Sequence, residues 1–225
     1  TGITRVILPE FDVLMETPQN NPHHCLNVGE HTLKSLCGIA PDKVLRLTML
    51  LHDMGKPACR TTDGEGLDHF KGHGEVSARM AGNILRRLKL DNDTIRKVTL
   101  LVRYHDWRME PQERTVRRAM HRIGTELFPS LLQVQTADTL AQSTLWREQK
   151  LERIRDVAKL CGTILQENQC VSLKDLAVTG KDLMALGMKP GPEIGSLLKQ
   201  ALEHVLDFPE DNTKEYLTEF CQRRI

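Results

Sequence analysis

The sequence predicts an all-α fold, with a main helical bundle followed by a small helical tail. Apolar residues recur at helical spacing through most of the 225 residues. No segment shows the alternation of apolar and polar residues that is typical of a half-buried strand. Hydrophobic residues make up 40% of the chain and aromatic residues only 4%. The core must therefore consist mainly of aliphatic side chains, among which Leu, Met and Ala favour helices.

The elements of the bundle follow an irregular opening. Residues 1–29 lack periodicity and are predicted to be extended, with His23 and His24 as surface histidines in a loop. Helical spacing begins near Gly29, and Asp42 is predicted to cap the next helix. The later segments are a helix ending near Met54, a loop at 57–72, and helices at about 74–88, 92–105, 112–123, 129–138 and 143–167.

The tail follows a break after Asn168. A short helix is expected after Thr179 and an amphipathic one from Pro192. The sequence thus divides into a helical domain at 1–168 and a tail at 169–225.

Charge and cysteine usage limit the classes of function. The formal net charge is +1, so any contact with RNA needs a local basic patch. The six cysteines form no CxxC pair, which favours a reducing compartment over a disulfide framework. No apolar run approaches the roughly 20 residues that cross a bilayer, and no signal peptide opens the chain. We therefore expect a cytoplasmic protein. The sequence begins at Thr1, without an initiator Met, and we expect either a piece of a longer polypeptide or a natural protein that lacks an N-terminal domain.

Several polar residues lie where the pattern predicts a core. His105 and Asp138 sit on otherwise apolar stripes, and His52-Asp53 closes an apolar helix. A lone histidine on such a face is more often a hydrogen-bonded core residue than a ligand. A buried carboxylate, however, costs several kcal/mol unless it is paired or binds a metal.

These residues belong to a recognisable series. The phrases, in order, are Glu30-His31-Thr32-Leu33, Leu50-Leu51-His52-Asp53-Met54-Gly55-Lys56, Gly72-His73, Tyr104-His105 and the distant Asp138. Over about 23–140, this order resembles the HD superfamily of metal-dependent phosphohydrolases. The resemblance implies that a first metal is held by His31, His52, Asp53 and Asp138. It also implies that His73 and His105 help to hold a second metal that Asp53 bridges, with His69 as the alternative to His73.

The ligand types indicate the metal and its chemistry. Imidazole and carboxylate ligands suit Mn, Fe, Co, Ni, Mg or Zn, as one or two divalent ions. Such ions activate water and polarise a phosphoryl oxygen, so Asp53, Lys56 and Arg103 are the catalytic candidates. Lys56 and Arg103 are also candidates for binding the phosphate of the substrate. The alternatives are a solvated lysine at a helix end and a surface arginine in a salt bridge.

A second resemblance runs nearly from end to end. It rests on Leu8-Pro9-Glu10, Thr17-Pro18-Gln19, Gly29-Glu30-His31-Thr32-Leu33, Phe70-Lys71-Gly72-His73, Val178-Thr179-Gly180-Lys181-Asp182-Leu183-Met184, Leu186-Gly187 and Gly191-Pro192-Glu193-Ile194-Gly195. These phrases resemble the later part of bacterial CCA-adding enzymes, the tRNA nucleotidyltransferases. The family transfers nucleotides with an N-terminal head that needs a Gly-Ser phrase and a carboxylate pair. We find no such phrase here and do not expect this chain alone to add CCA.

The tail offers a physical reason to bind tRNA. The Gly/Pro-rich turn from Gly187 to Gly195 starts a helix, whose free N–H groups can bind phosphate. Lys181, Lys189 and Lys199 would flank that turn, and Lys189 is a candidate substrate ligand. The alternative is a helix corner whose glycines allow close packing. Basic runs around Arg86-Arg87 and at Arg114, Arg117, Arg118 and Arg122 are likewise either an RNA-backbone strip or a solvated face.

The preferred hypothesis is a phosphohydrolase that acts on a phosphomonoester or a 2′,3′-cyclic phosphodiester. The alternative is a non-catalytic module that binds tRNA, and a nucleotide sensor or a diphosphohydrolase for signalling nucleotides is a third possibility. The native metal, the number of ions, the phosphoester and the oligomeric state stay open.

Overall fold

Helices dominate the computed structural model, which describes residues 2–225. The α-helices of this part are Thr4–Ile7 (α1), Pro9–Met15 (α2), Val28–Cys37 (α3), Lys43–Leu51 (α4), Lys56–Cys59 (α5), His73–Arg87 (α6), Asn92–Tyr104 (α7), Glu113–Ile123 (α8), Phe128–Ala141 (α9), Arg147–Gln166 (α10), Gly180–Ala185 (α11), Pro192–Asp207 (α12) and Lys214–Gln222 (α13). Thr61–Thr62 (β1) and Asp68–His69 (β2) form an antiparallel pair, with Thr61 opposite His69. The prediction of an all-α fold is confirmed. Among the described residues, no helix combines the length and the apolar character needed to span a bilayer.

Side-chain caps fix where several helices begin. Asn27 accepts a hydrogen bond from the backbone N–H of Glu30, whose carboxylate bonds the N–H of Asn27 in return. Asp42 accepts from the N–H of Leu45 at 2.9 Å, which confirms the predicted cap of α4. Such caps satisfy donors that the first helical turn leaves free.

The chain folds as two compact units. The first contains the residues up to Arg108 together with Glu126–Arg155, and the second contains Met109–Thr125 and Asp156–Ile225. The sequence analysis drew a single boundary at residue 168. The contacts group the chain differently, because α8 packs against α12 and so lies with the tail.

The core of the first unit sits between α6 and α7, which pack together extensively. Leu85 and Val98, both fully buried, belong to this cluster. A second cluster joins α4 to α9 through Met49, Val134 and Ala137. This contact matters for the site, because α4 leads into His52-Asp53 and α9 carries Asp138.

The opening residues are helical, so the prediction of an extended segment is wrong. Pro9 occupies the first turn of α2, where its missing N–H costs nothing. Phe11 and Leu14 of that helix are buried in the core of the first unit. Helices of four and seven residues are too short to show a clear period in the sequence.

The segment 57–72 was predicted to be a loop, but it contains regular secondary structure. The segment includes most of α5 and the β1–β2 pair, whose strands of two residues are too short for visible alternation. Asp68 anchors this hairpin by accepting hydrogen bonds from Arg60, from Thr62 and from the backbone N–H of Asn20.

The second unit has its own core around α11, α12 and α13, with Leu183, Val205 and Leu217 fully buried. The helix α13 was not predicted. Next to this core, Asp207 accepts hydrogen bonds from the guanidinium groups of Arg114 and Arg118 on α8. This part of the predicted basic strip is therefore occupied by internal ion pairs.

Candidate metal centre

Six buried side chains from five segments meet in the first unit. They are His31 on α3, His52 and Asp53 directly after α4, His73 at the start of α6, His105 directly after α7, and Asp138 on α9. All six were predicted as ligands. Their side chains come from helices far apart in the chain, so only the tertiary fold brings them together.

Asp53 lies at the centre of this cluster, and each of its carboxylate oxygens faces a different pair of histidines. Oδ2 lies 3.1 Å from Nε2 of His52 and 3.7 Å from Nε2 of His31. Oδ1 lies 3.4 Å from Nε2 of His73 and 3.6 Å from Nε2 of His105. The ligand atoms form two groups of three that share Asp53, and within each group they lie within 4.8 Å of one another.

Three of the imidazoles are oriented by the backbone. Nδ1 of His52, His73 and His105 each lies 2.7 to 2.8 Å from the carbonyl oxygen three residues earlier. A carbonyl oxygen only accepts hydrogen bonds, so each Nδ1 carries the proton. The Nε2 atoms then present lone pairs to the centre, as metal-binding histidines do.

Asp138 completes the group around His31 and His52. Its Oδ1 lies 2.7 Å from Nε2 of His31 and 3.5 Å from Nε2 of His52. Its other oxygen accepts a hydrogen bond of 2.8 Å from the side-chain amide of Gln142. One oxygen of Asp138 is thereby held by the residue that directly follows α9, while the other faces the cluster.

Lys56 is part of the centre and is only 5% exposed, so it is not the solvated lysine of the alternative interpretation. Its ammonium lies 2.7 Å from Oδ2 of Asp53 and donates a 2.6 Å hydrogen bond to Oε1 of Gln19. The amide nitrogen of Gln19 donates in turn to the carbonyl of Leu26 at 3.3 Å. The ring of Phe70 lies 5.4 Å from the ammonium. The position of Lys56 is thus fixed on several sides.

The electrostatics of the cluster favour positive charge. Burial disfavours the imidazolium of His52, yet the carboxylates of Asp53 and Asp138 outweigh it and raise the pKa of His52 to about 10. Burial also opposes ionisation of Asp53, but His52 and Lys56 hold the pKa of Asp53 well below its usual range. Two ionised carboxylates at the centre of a buried site stabilise a cation there, and a metal ion bound at Nε2 of His52 would take the place of the proton.

The residues also fit a divalent metal by their unused bonding capacity. Both carboxylate oxygens of Asp53, and Nε2 of His52, are buried and make no hydrogen bond of good geometry. Lys56 offsets the charge of Asp53, but leaving the remaining bonding capacity of these buried groups unused is costly. Converging imidazole nitrogens and carboxylate oxygens are a donor set that suits first-row divalent metals. These six residues can therefore hold one or two such ions, with Asp53 common to both.

The centre opens into a cleft of about 610 Å³ within the first unit. Asp53, His73, His105 and Asp138 lie at its wall, together with Lys56. This volume is in the range of pockets that hold a small organic ligand. A small molecule in the cleft can thus reach the candidate metal ligands.

Three further predicted positions lie outside the ligand cluster. Arg103 is partly exposed and pairs with Glu75 at 2.7 Å, as the surface alternative described. His69 lines the cleft, but its Nε2 lies 2.6 Å from Asp63, so His73 rather than His69 joins the cluster. Lys189 is an exposed residue of the second unit.

Sequence analysis missed other residues of the cleft. His24, expected to be a surface histidine, is half-buried with its ring 4.9 Å from that of His31. Burial is the main cause that lowers the pKa of His24 to about 3. Arg108 and Lys150 line the cleft and were not singled out, because no periodic pattern or motif distinguishes them from ordinary polar residues. Gln19, which holds Lys56, belongs to the phrase Thr17-Pro18-Gln19 but was given no role. The adjacent histidines His23 and His24 were a signal for this part of the cleft, but the sequence analysis interpreted them as surface residues of a loop.

Comparison with known proteins gives a consistent set of relatives. Residues 73–221 match the family model described as tRNA nucleotidyltransferase domain 2, putative. The chain is 36% identical over 211 residues to a CC-adding tRNA nucleotidyltransferase of Thermus thermophilus, covering 90% of this chain and 46% of the relative. It is 31% identical over 235 residues to an A-adding tRNA nucleotidyltransferase of Deinococcus radiodurans, covering 99% of this chain and 52% of the relative. The chain spans about half the length of the curated relatives it matches.

Proposed function

This chain belongs to the tRNA nucleotidyltransferase family, and on that premise we propose that it is a tRNA-binding body domain. The match over residues 73–221 carries the proposal. One relative adds CC to tRNA and the other adds A, by their names. Two enzymes that add different nucleotides share the need to hold a tRNA. A chain that is similar to about half of each is suited to that common task.

The second unit offers a surface for the phosphate backbone. Lys181, Lys189 and Lys199 are exposed on either side of the turn that starts α12. Gly187 in that turn has a φ of +100°, which L side chains rarely adopt. Contacts between lysines and phosphates position a protein on RNA without reading its sequence. Arg114 and Arg118 are less suited to this role, because Asp207 and Glu203 already bind them.

A titration with tRNA at two salt concentrations tests the proposal. We expect tight binding at about 50 mM salt and loss of at least tenfold in affinity at about 200 mM, because bound lysines release counterions. The triple variant Lys181→Glu, Lys189→Glu, Lys199→Glu should weaken binding and flatten the dependence on salt. The triple variant Lys34→Glu, Arg79→Glu, Lys159→Glu changes the charge equally at other exposed positions and serves as the control. Absence of binding at the lower salt concentration would reject this function.

A second function is favoured by the carboxylate that two histidine groups share. We propose that the first unit is a metal-dependent phosphohydrolase centre of the HD type, which acts on phosphomonoesters or 2′,3′-cyclic phosphodiesters. Bound divalent ions would supply charge that activates water and polarises a phosphoryl oxygen. Asp53 and the five other candidate ligands would hold these ions. Lys56, already buried beside Asp53, neutralises charge that develops on the phosphate.

Metal loading and two substrates test this second function. Protein purified without chelator is supplied with Mn²⁺, Ni²⁺ or Co²⁺ and assayed on p-nitrophenyl phosphate and 2′,3′-cyclic AMP. We expect turnover that His52→Ala abolishes and that His69→Ala leaves within twofold, because His69 lines the same cleft but bonds Asp63 instead of the cluster. Equal turnover in His52→Ala would show that a contaminating enzyme is responsible. The two proposed functions are compatible, since they use different units.

A further inference from the structure

The cleft is larger than the metal centre alone requires. Its volume of about 610 Å³ is in the range of pockets that hold a whole small organic ligand. Beyond the ligand residues, its wall includes His23, Arg108 and Lys150. Arg108 and Lys150 are cationic and come from separate segments, whereas burial lowers the pKa of His23 and leaves its imidazole neutral beside them. Their placement on one wall raises the question of what negative group they receive.

Lys150 is held in place, but its charge is not cancelled by a direct partner. Its ammonium donates to Oε1 of Gln142 at 2.5 Å, and the amide of Gln142 donates to Asp138 at 2.8 Å. One amide group thus separates the ammonium from a carboxylate of the metal centre. The backbone of Gln142 is held as well, because its main-chain carbonyl accepts a hydrogen bond from the guanidinium of Arg147. An ammonium that is oriented by a neutral amide keeps most of its attraction for an anion.

Arg108 supplies the matching guanidinium. Its contact with Asp106 is long, at 3.9 Å, and its side chain is 64% exposed. The fork of a guanidinium is suited to two parallel bonds with a phosphate. Burial and the charge of Arg108 together lower the pKa of Lys150, in agreement with two cations that face the same space.

The third member of this wall is built into the fold. The loop that carries His23 is clamped by Ser143, whose backbone N–H donates to the carbonyl of His23 at 2.8 Å and whose hydroxyl donates to that of Pro22. The imidazole of His23 contacts the ring of Trp146, with the ring centroids 5.0 Å apart. The part of the wall that His23 forms is therefore preorganised, which lowers the cost of binding a ligand beside it.

We propose that Arg108 and Lys150 form an anion subsite, distinct from the metal ligands, that binds a second phosphate of the substrate. The substrate class is then a ribonucleotide that carries one phosphate for the metal centre and another for this subsite. A free nucleoside bisphosphate and the end of an RNA strand both have this chemistry. The inference rests on the phosphohydrolase function proposed above, and it adds the feature by which the centre would select among phosphoesters.

Calorimetric titrations of the Mn²⁺-loaded protein measure the selection directly. The ligands are adenosine 3′-monophosphate, adenosine 3′,5′-bisphosphate and a diadenylate with a 3′-terminal phosphate. We expect the better of the two ligands with a second phosphate to bind at least tenfold more tightly than the monophosphate, which is the order of one charge-assisted hydrogen bond. Whichever of the two binds better identifies the source of the second phosphate. Chromatography of the recovered ligand records hydrolysis separately.

Two variants and a matched control assign the effect to the subsite. Lys150→Met and Arg108→Gln should each remove most of the preference for the second phosphate, and each should change binding of the monophosphate by less than twofold. Lys159→Met removes an exposed lysine of the same helix that pairs with Asp156, and it should leave the preference unchanged. Arg108→Gln does not touch Gln142, so it separates loss of the subsite from disturbance of Asp138.

The outcomes separate the two proposals. Equal affinity of the wild type for all three ligands, or no binding of any, overturns the subsite. Equal weakening towards every ligand in both variants also overturns it. Preference without hydrolysis supports the subsite and counts against the phosphohydrolase function. Hydrolysis without preference does the reverse.

Discussion

The buried ammonium of Lys56 lies 2.7 Å from Oδ2 of Asp53, the carboxylate that both histidine groups share. This contact lets the protein keep a carboxylate ionised in its interior, since a buried acid without a cation would take up a proton. Lys56 is fixed in turn by Gln19. A residue of the opening segment therefore controls the geometry of the metal centre.

The first prediction concerns Gln19 as a positioning residue. Gln19→Met removes the acceptor that holds Lys56 and should lower kcat on 2′,3′-cyclic AMP by about tenfold, the order of one hydrogen bond to a charged group. The metal content should not change, because Gln19 is not a ligand. Steady-state kinetics and elemental analysis of the same preparations provide both readouts.

Two further variants complete that test. Gln19→Glu keeps an acceptor for the ammonium and should restore most of kcat, whereas Gln200→Met, at an exposed position on α12, should have no effect. Loss of metal in Gln19→Met would instead indicate that the residue supports the fold of the centre.

The second prediction concerns the number of ions. If each pair of histidines binds one ion with Asp53 in common, Asp53→Asn should abolish binding of both. His73→Gln should remove only one, because the group of His31 and His52 remains intact. Elemental analysis after dialysis against Mn²⁺ measures the ratio of metal to protein. Equal ratios in Asp53→Asn and His73→Gln would contradict a shared ligand.

The fold class and the ligand residues could be predicted because each has a local signature. Apolar residues at helical spacing mark the helices, and His105 and Asp138 interrupt such stripes. His52-Asp53 follows an apolar helix and precedes Gly55. The fold then places these separate signals at one point, as the order of the phrases suggested.

Contacts that depend on tertiary packing could not be predicted in this way. Gln19 lies in a segment whose helices are too short to show a period, and its bond to Lys56 spans 37 residues. Lys150 looks like an ordinary polar residue of a long helix until Gln142 and Arg108 are placed beside it. The charges of Arg114 and Arg118 suggested an RNA strip, and only the fold brings Asp207 to them.

The third prediction concerns Gly55, which follows the His-Asp pair by two residues. A Cβ at this position would lie 2.6 Å from the backbone nitrogen of Ser77 and 2.8 Å from the carbonyl oxygen of His73. Gly55→Ala must therefore push α6, and His73 with it, away from Asp53. We expect a loss of about 2 to 3 kcal/mol in the free energy of unfolding, as is usual for overpacking, and a reduced metal content.

Gly162 supplies the matched control for that substitution. It lies exposed inside α10, and a Cβ there would meet nothing within 4 Å. Gly162→Ala should stabilise the protein by about 0.5 to 1 kcal/mol, because alanine favours the helix. Urea denaturation followed by circular dichroism measures both variants. Unchanged stability of Gly55→Ala would mean that the approach of α6 to this glycine is looser than the structure has it.

The last prediction uses pH to test the ion pairs that Arg114 and Arg118 of α8 form with Asp207. Hydrogen bonds from Arg118 and Arg114, against the opposing effect of burial, lower the pKa of Asp207 to about 2. The unfolded chain has an ordinary aspartate pKa of about 3.9. A carboxyl whose pKa is depressed by folding adds stability above the unfolded pKa, and this stability is lost as the pH falls through the folded value.

Asp207→Asn should therefore destabilise the second unit by about 1 kcal/mol at pH 7, a value kept small because the guanidinium groups are partly exposed to water. The difference from the wild type should shrink between about pH 4 and pH 2. Urea denaturation at a series of pH values measures it, with Asp156→Asn, at a half-exposed carboxylate that pairs with Lys159, as the control. A difference that stays constant over this range would mean that Asp207 contributes through packing, and Arg114 and Arg118 would then again be candidates for the RNA backbone.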